Sequence, residues 1–477
     1  MQRSHEAFAP AAPASRPTFV TLVVAAAFFM ELFDSTVIVT ALPTMARDFN
    51  SSVVALSLGI TAYMLATTVL LPCSGWLADR YGTRSVFCTA TSVFILSSVW
   101  CGLSSGVTEF IWARTLQGVG AAMMSPVGRL VVLRATPKEQ LVSTMNLMVV
   151  PALVGPVVGP PIGGLITTYA SWHWCFFINV PIGCTILLLM LKNTRNQRSS
   201  ERRPFDLTGF ALNGIGLSCL IYGANQLSEH WPGNLFTYTL LSTGICVGWL
   251  ALRHARLATH PLVATQAFSV RTFRVCNLGG GGIFRLSTMA PIFLMPLMFQ
   301  IGMGMTAFQS GMLLLAHTGG DLLTKIITNR FMNAAGFRRA LVGTASCFAA
   351  CIAVFACFSS NTPYWLIVLV LFIAGVVRSL QMGALNALQF ADIAPDHMTH
   401  ASTLSNMVQQ AQRALGVAFA AILLNIATTL QPNAGTGLQQ IDFQISFAIM
   451  SLIGFAALIW YLRLPKNVGG QLLNAPR

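Results

Sequence analysis

Runs of about 20 apolar residues recur along the whole chain, separated by short polar turns. A helix rises about 1.5 Å per residue, so one such run crosses the roughly 30 Å hydrocarbon core of a bilayer. No other feature of the sequence narrows the fold as far. Fourteen spans are expected, at about 18–42, 54–74, 85–105, 109–131, 141–169, 174–192, 206–226, 236–254, 275–300, 307–328, 339–359, 363–388, 400–428 and 441–463. Only 9% of the residues are charged, against about 25% in a soluble domain. The fold class that follows is an all-α polytopic membrane protein.

The few charges are placed unevenly. With a cytoplasmic N-terminus, 22 of the 28 lysines and arginines fall on the cytoplasmic side; Arg47 alone falls outside, and Arg114, Arg129, Arg285, Arg378 and Arg413 lie within or at the ends of spans. This bias predicts an even number of spans with both termini inside. It also assigns the net charge of +14 to membrane orientation and not to nucleic acid. The eleven cysteines form no CxxC pair and lie mostly in spans, so no zinc site or disulfide framework is indicated. Residues 1–17 are expected to be a loose cytoplasmic tail and not a signal peptide.

Two acids contradict the apolar background. Of the 14 aspartates and glutamates, only Glu31 and Asp34 are read as lying well inside a span. A charge at a helix centre costs about 3 kcal/mol or more, so such groups are expected to serve a purpose. Asp34 lies roughly 24 Å from the cytoplasmic end of span 1, and Arg114 about 8 Å from the outer end of span 4, which gives them a common depth. Glu31 is one turn deeper on nearly the same face. A carboxylate beside an arginine in a watered interior can be protonated in one state and ion-paired in another. The bland alternative is a fixed pair holding spans 1 and 4 together.

A faint internal repeat suggests the layout. "GWLADRYGTRSVF" (75–87) joins spans 2 and 3, and "NRFMNAAGFRRAL" (329–341) joins spans 10 and 11. Each has a turn glycine, Gly82 or Gly336, followed two residues later by Arg84 or Arg338. The copies are eight spans apart. Two six-helix bundles with spans 7 and 8 inserted account for that spacing, and paired bundles around a midplane cavity are a transporter plan. The expected division is 1–17, a tail; 18–192, the first bundle; 193–274, basic loops and two inserted helices; 275–464, the second bundle; and 465–477, a cytoplasmic tail.

Four motifs in order carry a family resemblance: "LFDSTVIVTALP" (32–43), "GWLADRYGTR" (75–84), "RTLQGVGAAMMSP" (114–126) and "GPVVGPPIGG" (155–164), the last followed by "SWHWCFFINVPIG" (171–183). Over residues 18–465 the chain resembles a major facilitator superfamily transporter of the fourteen-helix EmrB/QacA-type drug:proton antiporter branch. The resemblance implies that Asp34 couples protons, with Arg114 in support; the pattern requires no acid at Glu31. It implies that Gly75, Asp79, Arg80, Gly82 and Arg84 latch the two bundles in the outward-open state. It further implies that Gly155, Gly159, Pro160, Gly163 and Gly164 form the antiporter motif that limits leak; by themselves these residues also read as a small-residue packing face.

The chain departs from cation-exporting relatives in span 13, where "NMVQQAQRALG" supplies Gln409, Gln410, Gln412 and Arg413 but no acid. Arg285, Arg378 and Arg413 lie near mid-depth. An interior richer in arginine than in carboxylate disfavours organic cations and admits neutral or anionic molecules. Arg285, Arg413, His317 and Gln117 are the substrate-cavity candidates. The competing reading has these arginines bonding carbonyls at helix breaks, as near "GGGG" (279–282), and His317 as a packing residue.

No phosphate-binding loop, HExxH or nucleophile–base constellation is present, so neither an enzyme nor an ATP-driven pump is expected, and no cofactor or metal. The function expected is proton-coupled export of small amphipathic, neutral or anionic molecules across the cytoplasmic (inner) membrane. The partners are substrate, protons and the bilayer, with a periplasmic adaptor and an outer-membrane channel as further candidates. Uptake by symport or facilitated diffusion, and a non-transporting receptor or scaffold, are the alternatives.

Overall fold

The computed structural model describes residues 17–136, 140–194, 196–198, 204–229, 231–258, 261, 265–324, 327–394, 398–430, 438–465 and 467–470. The expected tail before Pro17, most of the C-terminal tail, and Arg3, Arg16, Lys138, Arg195, Arg202, Arg203, Lys325, Lys466 and Arg477 lie outside the described residues. Each of the fourteen expected positions holds a helix. Among the described residues, twelve helices are long and apolar enough to cross a membrane by length and composition.

A first group contains α1 (Pro17–Asp48), α2 (Val53–Leu70), α3 (Thr83–Leu103), α4 (Val107–Ala135), α5 (Leu141–Tyr169) and α6 (Asn179–Asn193). A hairpin of α7 (Leu207–Glu229) and α8 (Leu235–Leu257) follows. The second group contains α9 (Gly280–Leu297), α10 (Ala307–Thr324), α11 (Phe337–Phe355), α12 (Tyr364–Leu388), α13 (Met398–Thr429) and α14 (Gln440–Leu462). In the first group α1 lies along α5, and α4 along α2 and α3; in the second, α10 lies along α12, and α9 along α13 and α14. Two seams join the groups, α5 against α10 and α2 against α13.

Two spans are less regular than expected. Span 2 breaks at Pro72, which has no amide to donate, and resumes as the short helix Cys73–Tyr81. Span 9 is preceded by a separate helix, Arg271–Asn277, and breaks at Leu278 and Gly279 before α9 begins.

The internal repeat is present in three dimensions. Gly82 and Gly336 both take positive φ, +96° and +76°, a conformation that glycine enters without steric cost. Each turn aims its arginine at the end of its own group's last helix. Arg84 Nη1 donates to the Thr194 carbonyl at 3.0 Å, just past α6, and Arg338 Nη2 donates to the Leu462 carbonyl of α14 at 2.7 Å. Helix C-termini leave carbonyls unpaired and carry partial negative charge, so a guanidinium there satisfies both. The molecule thus has a basic end, where these turns lie, and an opposite end.

Hydrogen bonds tie the two groups at that opposite end. Gln300 Nε2 donates to the Thr40 carbonyl at 3.1 Å, and the Phe308 amide to Thr168 Oγ1 at 3.0 Å. Nearby, Trp172 Nε1 donates to Asp48 at 2.6 Å, fixing the "SWHW" segment to the end of α1. Phe49, Phe110, Trp172 and Phe176 pack there as a cluster of tilted and edge-on rings.

Candidate functional site

The two carboxylates of α1 face different surroundings. Asp34 is fully buried. Its Oδ2 accepts from Arg114 Nη1 at 2.7 Å. Its Oδ1 accepts from Gln117 Nε2 at 3.0 Å and from Asn179 Nδ2 at 2.8 Å. Arg114 is equally buried; its Nη1 also reaches Gln117 Oε1 at 2.6 Å, and its guanidinium carbon lies 4.4 Å from the Tyr63 ring centroid. Helices α4 and α6 therefore close on the carboxylate of α1, and α2 packs on its arginine. The ionised form of Asp34 is answered by a cation and two amide donors, the arrangement that makes a buried charge tolerable.

Glu31, one turn away, is only half-buried. Ser125 Oγ donates to its Oε2 at 2.6 Å, and Arg129 and Arg413 both act on it electrostatically. Arg129 stacks over Phe28 at 5.8 Å. Arg413 faces Glu31 of α1, Tyr63 of α2 and Arg378 of α12, and Arg285 of α9, yet it is exposed. Flanked from four helices of both groups and still open, it stands in the interior between them. Depth along the helix was legible beforehand; the direction of each side chain was not.

Three of the four substrate-cavity candidates are buried against protein partners. Gln117 is fully buried and bridges Asp34 and Arg114. Arg285 is 2% exposed, and its Nη1 donates to the Cys276 carbonyl at 2.6 Å, because the break at Leu278–Gly279 leaves that carbonyl without a helical partner. His317 is buried, with its Nδ1 3.3 Å from the Leu371 carbonyl of α12. Arg413 is the one candidate of the four in the open interior.

A further acid within a span meets an arginine. Asp321 of α10 pairs with Arg378 Nη2 of α12 at 2.5 Å, with side chains 24% and 18% exposed. Its place near the end of the expected span disguised it. The pair neutralises Arg378, so the interior's positive excess is smaller than the arginine count alone suggests. Asn179 and Ser125 also went unassigned; the segment "SWHWCFFINVPIG" held the only sequence signal for Asn179.

The turn joining α2 and α3 makes contacts different from those expected of a latch between bundles. Asp79 pairs with Arg134 at 2.8 Å, Arg84 with Thr194, and Trp76 packs on Phe205. These protein partners lie in the turn's own group or just after it. Arg80 lies over the Trp76 ring at 5.3 Å.

The small residues of α5 divide their work. A side chain at Gly155, Gly159 or Gly163 would strike α1, around Phe29, Thr36 and Val37. One at Gly164 would strike the backbone of Ala307, and Gly311 of α10 in turn lies against the Pro160 carbonyl. The row on α1 thus packs within its own group, and Gly164 with Pro160 forms the close seam to the other.

Residues 24–417 match the family described as Major Facilitator Superfamily. Over 445 residues the chain is 34% identical to MdtD of Escherichia coli O139:H28 (strain E24377A / ETEC), a protein named for multidrug resistance, spanning 93% of this chain and 94% of that one. MdtD of Shigella boydii serotype 18 gives the same identity and coverage. Among solved structures, an auto-inhibited POT family peptide transporter superposes with a TM-score of 0.66 at 16% identity, over 96% of this chain and 99% of that one. A D-xylose–proton symporter gives 0.65 at 14%, over 94% and 98%. At such identities the likeness is one of fold.

Proposed function

This chain belongs to the major facilitator superfamily, and we propose that it exports small amphipathic, neutral or anionic molecules across the cytoplasmic membrane in exchange for protons. The basic end faces the cytoplasm on this reading, with both termini inside. The observation that carries it is the pair of carboxylates one turn apart on α1: Asp34 closed against Arg114, Glu31 open to the interior. A carrier that alternates needs a proton site that water reaches in one state and loses in another. Protonating Asp34 removes the charge that holds Arg114 and loosens α1 from α4; losing that proton restores the pair.

The hydrogen bonds at the end away from the basic residues suit a state closed to the outside. In the opposite state the turn around Gly75, Asp79, Arg80, Gly82 and Arg84 would meet the second bundle. The seam of Gly164 and Pro160 against α10 gives the bundles a close surface on which to rock. Substrate class follows from the interior charges. Arg129 and Arg413 face one glutamate, a net positive field that repels quaternary cations.

One observation favours a second reading, uptake by symport. An anion held at Arg413 competes with Glu31 and so binds best when Glu31 carries a proton, which moves both in one direction.

One experiment separates the two. Proteoliposomes are loaded with benzenesulfonate, an aromatic anion that does not cross as a neutral acid, or with ethidium, and the internal pH is followed. Export by exchange predicts that the lumen acidifies as benzenesulfonate leaves, that ethidium gives a smaller response, and that Asp34→Asn gives none. An alkaline lumen establishes symport. Stronger exchange with ethidium, or an undiminished response in the Asp34 variant, refutes the proposal.

A further inference from the structure

The break in α9 concentrates positive charge in a dry part of the second bundle. Arg285 is 98% shielded, given its 2% exposure. Its Nη1 is taken by the Cys276 carbonyl, but its Nε and Nη2 are buried with no partner. The ionisable groups that face it are Tyr461, Cys276 and Arg413, none of them a carboxylate. Asp34–Arg114 and Asp321–Arg378 show how this chain otherwise treats an arginine in a span: each is given an acid.

Other polar groups stand beside it. Tyr461 of α14 is fully buried, with its hydroxyl turned toward the Gln381 side chain of α12. It also neighbours Arg285. The Tyr461 ring lies directly against Gly280, where any side chain would strike it. Gly280 opens an 18-residue helix, whose first amides lack intrahelical acceptors and carry the positive end of the helix dipole. A guanidinium, a hydroxyl, an amide and a helix start therefore gather on one spot. Among the described residues, Gln412 Oε1 is an unpartnered acceptor nearby, and its own Nε2 donates to the Asn277 carbonyl.

We propose that Arg285, Tyr461 and the start of α9 bind a compact monoanion, a halide or a small carboxylate group, which supplies the negative charge that the protein omits. The anion joins α9 to α14 across the helix break and keeps Arg285 from being a bare buried charge.

The test uses the purified full chain in detergent at fixed ionic strength. Thermal unfolding is followed in chloride, bromide, formate and gluconate. The expected result is a saturable rise in the unfolding midpoint with chloride and bromide, and none with gluconate. A rise with formate in addition assigns the site to carboxylate groups as well as to free halide; a rise with formate alone assigns it to carboxylate. Crystals grown in bromide should show anomalous density between Arg285 and Tyr461. Tyr461→Phe removes one hydroxyl and keeps the ring, and should weaken the anion response about tenfold, the worth of one hydrogen bond to a charged group; Arg285→Gln should abolish it. Equal midpoints in all four salts, bromide density elsewhere alone, or an unchanged response in Tyr461→Phe overturns the proposal, even where Arg285→Gln does not fold.

Discussion

Asp34→Asn is the most informative single change. Asp34 and Arg114 are both fully buried, and the carboxylate receives three donors on two oxygens. A carboxamide offers one acceptor oxygen and turns an N–H donor toward the remaining partners. The larger loss is electrostatic: Arg114 keeps its charge with nothing to answer it. Removing one partner of a buried pair costs about 3–5 kcal/mol. Removing both charges costs much less, because each ion no longer has to be held out of water. Asp34→Asn/Arg114→Gln should therefore recover most of the stability that Asp34→Asn loses. The assay is reversible unfolding in lipid bicelles of wild type, both single variants and the double variant, read as a double-mutant cycle. Coupling of about 2 kcal/mol or more is expected, as for groups in direct contact. Additive losses would show that the pair carries no charge compensation and would remove the physical basis of the proposed switch.

Three further outcomes follow from the geometry. Glu31→Gln retains an oxygen for Ser125 Oγ, so stability should change by less than about 1 kcal/mol, while the pH dependence of transport alters; an unchanged pH profile would exclude Glu31 from coupling. Gly164→Val drives a side chain into the Ala307 backbone and should cost about 1–3 kcal/mol by overpacking, with disulfide trapping between α5 and α10 reporting the opened seam; normal trapping would count against it. Arg84→Ala and Arg338→Ala each uncover a helix C-terminus and should lose similar amounts, about 0.3–1 kcal/mol, measured by thermal unfolding; a large disparity would break the symmetry argument.

Helix positions were legible because oil demands long, uninterrupted apolar runs, and the repeat was legible because a positive-φ glycine followed by arginine is a rare local pattern. Asp34 and Arg114 met as expected because rise per residue gives depth, and depth alone narrows partners to a thin slice of the membrane. The fate of Arg285 was not legible. Its depth equally suits an interior position and a buried one, and lipid and protein core are about equally apolar, so the sequence leaves no stripe to tell which face points inward. The break at Leu278–Gly279 that claims its guanidinium depends on the fold around "GGGG". Asp321 shows the converse error: a carboxylate near a span end reads as solvent-exposed until a partner on α12 is seen. The bridging place of Gln117 was not legible because hydrogen-bond partners on α1 cannot be inferred from α4 alone.

The α7–α8 hairpin rides on the border between the halves of the molecule. Helix α7 touches α2 on one side and α13 on the other, and Asn425 of α13 donates to the Glu229 carbonyl at its far tip, 3.3 Å away. Helix α8 rests on α7 and turns Ile245, Trp249 and Leu252 toward lipid. We infer from these contacts that the hairpin acts as a gasket: if the halves tilt, a hairpin moored to α13 would slip along α2 and keep acyl chains out of the crevice.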